Sequence, residues 1–266
     1  MSGFHRQGSY GFLLSRRWLG LLLVALLVAA GCVLLGFWQL DRMSQRHARN
    51  DLIERNLEAA PAPVEELLRV GREPRPGDEY ARVRATGRYD VSEQLLVRVR
   101  PYEGQVGYHV LTPLVTEDGA ALLVDRGWVP TGATAEAAPD VPAPPSGTVT
   151  VTARVRPSEP RSTTGTPPPG QVTRIHVPTI APTLPYDVYG GFGELTDERP
   201  APREAPSLLP APEPGEGPHL AYGVQWFLFA GLALGGYVVL ARREAADRRA
   251  PEPVPEPLRV AGPRRG

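Results

Sequence analysis

The side chains able to do chemistry in this chain are few and lie far apart. Its five histidines, His5, His47, His109, His176 and His219, share no metal-ligand spacing. No G-x-S-x-G elbow, H-E-x-x-H helix or phosphate-binding glycine loop occurs, so neither a nucleophile with its base nor a convergent acid and base is visible. No catalytic residue is assigned, and the chain is expected not to be an enzyme. Cys32 stands alone within an apolar run, which excludes an intrachain disulfide, a CxxC redox pair and a cysteine zinc site. With only Met1 and Met43 beside it, the soft ligands that a Cu(I) carrier needs are missing. His109 falls in an alternating strand pattern and His176 borders another, so both read as satisfied strand or surface histidines.

His219 differs because it sits one residue before a long apolar run, in HLAYGVQWFLFAGLALGGYVVLARR (His219 to Arg243). On a helix that begins there, His219, Tyr222 and Trp226 share one face at i, i+3 and i+7, with Gln225 alongside. An interfacial belt explains such a face, since Trp and Tyr gather at that depth. Gln225 points to another account, because polar groups inside spans face a partner helix or a cavity. A neutral imidazole at that mouth would offer a ring nitrogen to haem iron, with the macrocycle against apolar and aromatic surface. Arg42 or Arg46 would meet the propionates, or would simply form a solvated helix face.

Two apolar segments have to position that histidine. Trp18 to Trp38 carries no charge and at helical rise matches a hydrocarbon layer of roughly 30 Å. It is longer than the apolar core of a cleaved signal peptide, and it continues past Cys32, which speaks against a lipoprotein reading of Ala29 to Cys32. Leu220 to Ala241 forms the second span. Within it, Gly231-x-x-x-Gly235 is a small-residue pattern that lets helices approach, with Cys32-x-x-x-Gly36 as its counterpart, unless glycine is simply frequent in such helices. Arg16 and Arg17 precede the first span, while Arg242, Arg243, Arg248 and Arg249 follow the second, which puts both termini in the cytoplasm. The expected layout is a cytoplasmic N-terminus (1–17), a transmembrane helix (18–40), an extracytoplasmic β-rich domain (41–219), a second transmembrane helix (220–241) and a disordered cytoplasmic Arg/Pro tail (242–266). The fold class is thus a membrane protein whose two transmembrane helices flank a mainly antiparallel β domain. All 29 basic residues are arginine and balance 29 acidic ones, so no field gathers nucleic acid.

The spacing of Leu40, Met43, His47, Asn50, Ile53 or Glu54, and Leu57 predicts that the first helix continues beyond the membrane until Pro61 and Pro63 end it. ARVRATGRYD then places Val83, Ala85, Gly87 and Tyr89 on one side and Arg82, Arg84, Thr86 and Arg88 on the other, the alternation of a half-buried strand. Gln94 to Arg100, Tyr108 to Val115, Ala120 to Val129 and Thr148 to Val155 follow as strands, with Glu117-Asp118-Gly119 as a hairpin turn. Val177 to Leu184 reads as a short helical turn and Tyr186 to Leu195 as a glycine-bent last strand. The proline-rich pieces, Pro139 to Pro145, Pro157 to Pro169 and Pro200 to Pro218, read as loops or linkers.

Five stretches in order, GFWQLDR (Gly36 to Arg42), YARVRATGRYD (Tyr80 to Asp90), GYHVLTPL (Gly107 to Leu114), VDRGWVP (Val124 to Pro130) and HLAYGVQWF (His219 to Phe227), resemble the surfeit-locus-1 family of cytochrome c oxidase assembly factors. The resemblance covers roughly residues 30 to 240. It implies a twin-anchored plasma-membrane chaperone of respiratory-chain biogenesis that binds haem a transiently and assists its insertion into oxidase subunit I, with no reaction of its own. The partners implied are subunit I, haem a synthase and membrane lipid. In bacterial members of that family the histidine opening the second span is the proposed haem ligand, which here is His219, with Tyr222, Gln225 and Trp226 beside it. Gly127 and Trp128 match the family's RGW turn, where glycine permits the bend and the indole packs. The proline insertions around Pro157 to Pro169 and the arginine-proline tail depart from the family pattern. The rival reading is a cofactor-free membrane scaffold that holds an oxidase assembly intermediate.

Overall fold

A computed structural model describes residues 10–132, 139–163, 165–213, 215, 217 and 219–248, with His219 described in its backbone alone. The chain divides into two compact units, Met1–His47 with Glu216–Gly266, and Ala48–Gly215. Helix α1 (Arg16–Glu58) is 43 residues long because the polar, three-to-four-spaced stretch after its apolar part keeps helical register. Two-residue strand β1 (Ala62–Pro63) and the single turn α2 (Val64–Leu67) follow its end.

The helical unit pairs α1 with the helix His219–Asp247, a partner long and apolar enough to cross a membrane, as α1 is. The expected small-residue contact is half correct. Cys32 is buried with Ala29 and Ala230, and Gly36 receives the Phe227 ring so closely that a Cβ there would stand 2.7 Å from Cζ. Gly231 and Gly235, however, have nothing within 4 Å of where a Cβ would be. The stripe in contact is instead Gly223, Phe227 and Ala230, spaced at i, i+4 and i+7. At the other end, Phe12 and Trp18 pack edge to face with centroids 5.0 Å apart and enclose Ala241 and Ala245. That contact, with an Arg248–Glu244 pair one turn apart, carries the helix past the expected boundary at Ala241, so residues 242–247 are helical. The rest of the expected tail, from 249 on, and His5 lie outside the described residues.

The second unit is a barrel. Its strands are β2 (Arg82–Tyr89), β3 (Leu95–Tyr102), β4 (Gln105–Thr116), β5 (Ala121–Pro130), β6 (Val149–Arg156), β7 (Gln171–Val172) and β8 (Val188–Arg199), with the turn α3 (Val177–Ile180) before the last. The helix His219–Asp247 is α4. The sheet runs β1-β2-β6-β8-β5-β4-β3-β7, and β2 also pairs β4, so β2, β6, β8, β5 and β4 close into a ring. Closure removes free edges from those five strands. Most pairings are antiparallel as expected; β1–β2, β3–β7 and β5–β8 are parallel. The alternation of β2 holds, with Val83 and Ala85 buried and Arg84, Thr86 and Arg88 exposed. The hairpin turn between β4 and β5 forms on Gly119, whose φ of 86° suits glycine.

Inside the ring, Val83, Ala85, Leu114, Leu122, Val124, Val149, Val151 and Ala153 make one core. On the outside of β3, β4, β5 and β8, Val97, Leu111, Leu123 and Phe192 make a second, covered by Val177 and Ile180 of α3. Each fully buried Val or Leu stabilises the fold by about 1.5–3 kcal/mol. The proline-rich pieces are irregular, as expected, yet tied to the barrel rather than free. Arg126, fully buried, donates from Nη1 to the Pro142 carbonyl (3.1 Å), and Arg154 donates to the Leu209 carbonyl (2.8 Å). Trp128 and Ser207 exchange two backbone hydrogen bonds of 2.8 Å.

Candidate functional site

In the helical unit the predicted face lies at the head of α4. His219 is the first helical residue, and its side chain is outside the described residues. Tyr222 is 48% exposed, and Gln225 is exposed with no hydrogen-bond partner among the described residues. Trp226 turns partly away from them. It packs on the Ala29–Cys32–Ala230 cluster, and its ring meets Phe229 edge to face at 5.8 Å. Four residues on from Tyr222 and three on from Gly223, it lies between the exposed face and the stripe that touches α1. Of the candidate propionate partners, Arg42 donates to Gln45 Oε1 (3.3 Å) along its own helix, and Arg46 is exposed. Both belong to a solvated helix face.

The barrel carries a second constellation that the spacing of residues does not reveal. Asp125, on β5, has its side chain 1% exposed. Its Oδ1 accepts the Gly127 N–H (3.1 Å), and its Oδ2 lies 2.8 Å from His109 Nδ1 on β4. Next to Asp125 across the β5–β8 ladder is Glu194, which pairs with Arg154 (3.3 Å) and Arg156 (3.2 Å). Burial pushes the Glu194 carboxyl above its ordinary range, and Arg156 and Arg154 offset this only in part. Arg156 in turn lies over the Tyr80 ring at 4.3 Å. Arg100 and Glu159 form another pair at 2.6 Å. Burial would raise the Glu159 carboxyl, but the Arg100 hydrogen bond and the Ile175 N–H hold it below its usual range. Among the described residues no three His, Cys, Asp or Glu side chains are grouped to hold a metal ion.

His109 and Asp125 meet through the β4–β5 register, in which Leu111 faces Asp125 and a bulge sets His109 opposite Trp128. Counting back from the turn at Gly119 would have brought them near one another; residue spacing alone does not. The Arg126-Gly127-Trp128 stretch is not a turn but part of β5; the glycine and the indole nonetheless do there what was expected of them. Gly127 has φ 123°, and a Cβ there would meet the Ser207 carbonyl oxygen at 2.4 Å. The Trp128 indole donates to the Arg100 carbonyl (2.8 Å) and fills the space beside Gly107.

The chain thus combines a closed β barrel with two helices long and apolar enough to cross a membrane. Residues 26–231 match the model of the SURF1 family, and the chain belongs to that family. It is 35% identical over 244 residues to uncharacterized SURF1-like proteins of Mycobacterium tuberculosis and Mycobacterium bovis, covering 90% of this chain and 88% of theirs. Over 96 residues it is 29% identical to the cytochrome oxidase assembly protein SHY1 of Saccharomyces cerevisiae, covering 36% of this chain and 24% of that one.

Proposed function

We propose that this protein is an assembly factor for haem-copper cytochrome c oxidase, set in the plasma membrane by α1 and α4 with both termini cytoplasmic and the barrel outside. The observation that carries the reading is family membership across helices and barrel together, joined to a yeast relative named for oxidase assembly. Within that role the protein binds haem a through His219 and assists its insertion into subunit I. A single imidazole suffices because the macrocycle brings four nitrogens of its own, and exposed Tyr222 beside an apolar helix suits a large flat apolar group. Once in the oxidase, haem a supplies an iron centre for electron transfer; here the chain's own residues only hold and orient it.

Gln225 favours a second reading, a cofactor-free scaffold. An amide without a partner on an apolar helix is costly in lipid and is relieved by a neighbouring helix. Deleting the gene should lower assembled oxidase, measured by its reduced-minus-oxidised spectrum; an unchanged spectrum ends the assembly role. Protein purified from haem-a-producing cells separates the two readings. Haem in wild type and little in His219→Ala supports ligation by His219, equal haem in both removes that residue, and none in either leaves the scaffold.

A further inference from the structure

The proline-rich stretch after β6, a loop by composition, lines a cavity of about 300 Å³ together with the segment that leads into α3. That segment and the stretch are pinned to each other and to the barrel. The Glu159 N–H donates to the Ile175 carbonyl (2.9 Å), the Ile175 N–H to the Glu159 carboxylate (2.7 Å) and the Val177 N–H to the Ser158 hydroxyl (2.9 Å). At the far end of the stretch, the Leu96 N–H of β3 donates to the Gly170 carbonyl (2.9 Å), and β7 pairs with β3. Buried Ile175, Val177 and Ile180 seat this wall on the second core. Walls held in this way are already ordered, so a ligand entering between them is spared much of the cost of fixing a loop.

The lining has one sign. Arg161, Arg174 and His176 border the cavity with the hydroxyls of Thr173 and Thr179, and no carboxylate lines it. Neither arginine side chain makes a hydrogen bond or an ion pair among the described residues. Glu159 stands near Arg174, but its hydrogen bonds go to Arg100 and the Ile175 N–H. Arg100, Arg161 and Arg174 thus outnumber that one carboxylate, in a chain whose acids and bases balance overall. His176 Nδ1 lies 2.6 Å from the Thr179 hydroxyl; with that hydroxyl donating, Nε2 carries the ring proton and is a further donor. Val172 and Ile180 add apolar surface. The volume is at the small end of the range for ligand pockets, roughly 300–1,000 Å³. Guanidinium forks grip phosphate oxygens two at a time, and a tetrahedral group meets donors from several directions at once.

We propose that this cavity binds a phosphate ester, its oxygens held by Arg161, Arg174 and His176. A soluble phosphorylated molecule and a lipid headgroup offer the same chemistry. The proposal stands apart from the haem reading and does not depend on it. The alternative is a pair of solvated arginines that hold nothing.

The test titrates the full chain in non-ionic detergent by calorimetry, with glycerol 3-phosphate in one arm and mixed micelles containing phosphatidic acid in the other. Binding of the first alone assigns a soluble ester, and binding of the second alone assigns a lipid headgroup. Arg161→Gln and Arg174→Gln should each weaken binding about tenfold, since each removes a charge-assisted hydrogen-bond donor. Both side chains are exposed, so melting should stay as it is in wild type. Arg203→Gln, an exposed arginine outside this cavity, is the control for unspecific attraction of anions and should leave binding unchanged. Equal weakening by Arg203→Gln overturns the proposal, because the anion would then be answering to surface charge at large. No binding in either arm overturns it as well.

Discussion

The helix pair and the barrel place their chemistry by different routes. At the head of α4 the candidate residues lie within eight positions of one another, and helical periodicity alone brings His219, Tyr222 and Trp226 to one side. In the barrel, His109 and Asp125 come from separate strands, and the hairpin register and its bulge join them. Local periodicity states which residues share a face but not what that face touches. Trp226 shows this, since it spends part of its surface on α1. Strand pairing builds contacts between residues that periodicity keeps apart.

The sharpest way to break this comparison is at Gly127 within β5. Gly127→Val puts a β-branched residue at φ 123° against the Ser207 carbonyl, and should cost about 4 kcal/mol or more, read as loss of cooperative unfolding of the barrel. Second, Gly36→Leu should destabilise the helix pair by about 1–3 kcal/mol in detergent, because the Phe227 ring occupies that space. Gly235→Leu, with nothing near it, should leave the pair unchanged; equal damage from both would return the contact to Gly231 and Gly235.

Third, Glu159→Gln should lower barrel stability by about 2 kcal/mol near neutral pH through its half-buried pair with Arg100. The Glu159 carboxyl is held below its usual range, so folding favours the ionised form. That contribution is full above the unfolded carboxylate pKa and disappears as pH falls through the lower folded one. Denaturation curves of wild type and variant should therefore converge in acid; a gap that persists there would mean packing, not charge, holds the pair. The smallest effect on stability belongs to Gln225→Leu, within about 0.5 kcal/mol because the amide has no intramolecular partner among the described residues. Its effect should appear only as reduced oxidase in cells, and unchanged oxidase would remove Gln225 from any interface.

Where apolar residues repeat in short range, the amino-acid order alone is decisive. It marks both long helices, the end of α1 before Pro61, the inward face of β2, the turn at Gly119 and the residues at the head of α4, because hydrophobic period and turn chemistry act between near neighbours. Only the folded molecule decides that β2 pairs both β6 and β4 to close a ring, that β5 and β8 run parallel, and that Gly223, Phe227 and Ala230 rather than Gly231 and Gly235 meet α1. The same holds for the proline-rich segments, which composition marks as loops and buried Arg126 and Arg154 tie down. His109 reads as an ordinary strand histidine until β5 brings a buried carboxylate to its ring. The physical reason is that register and side-chain partners are set by which surfaces exclude water together, a property of the packed whole and not of any window along the chain.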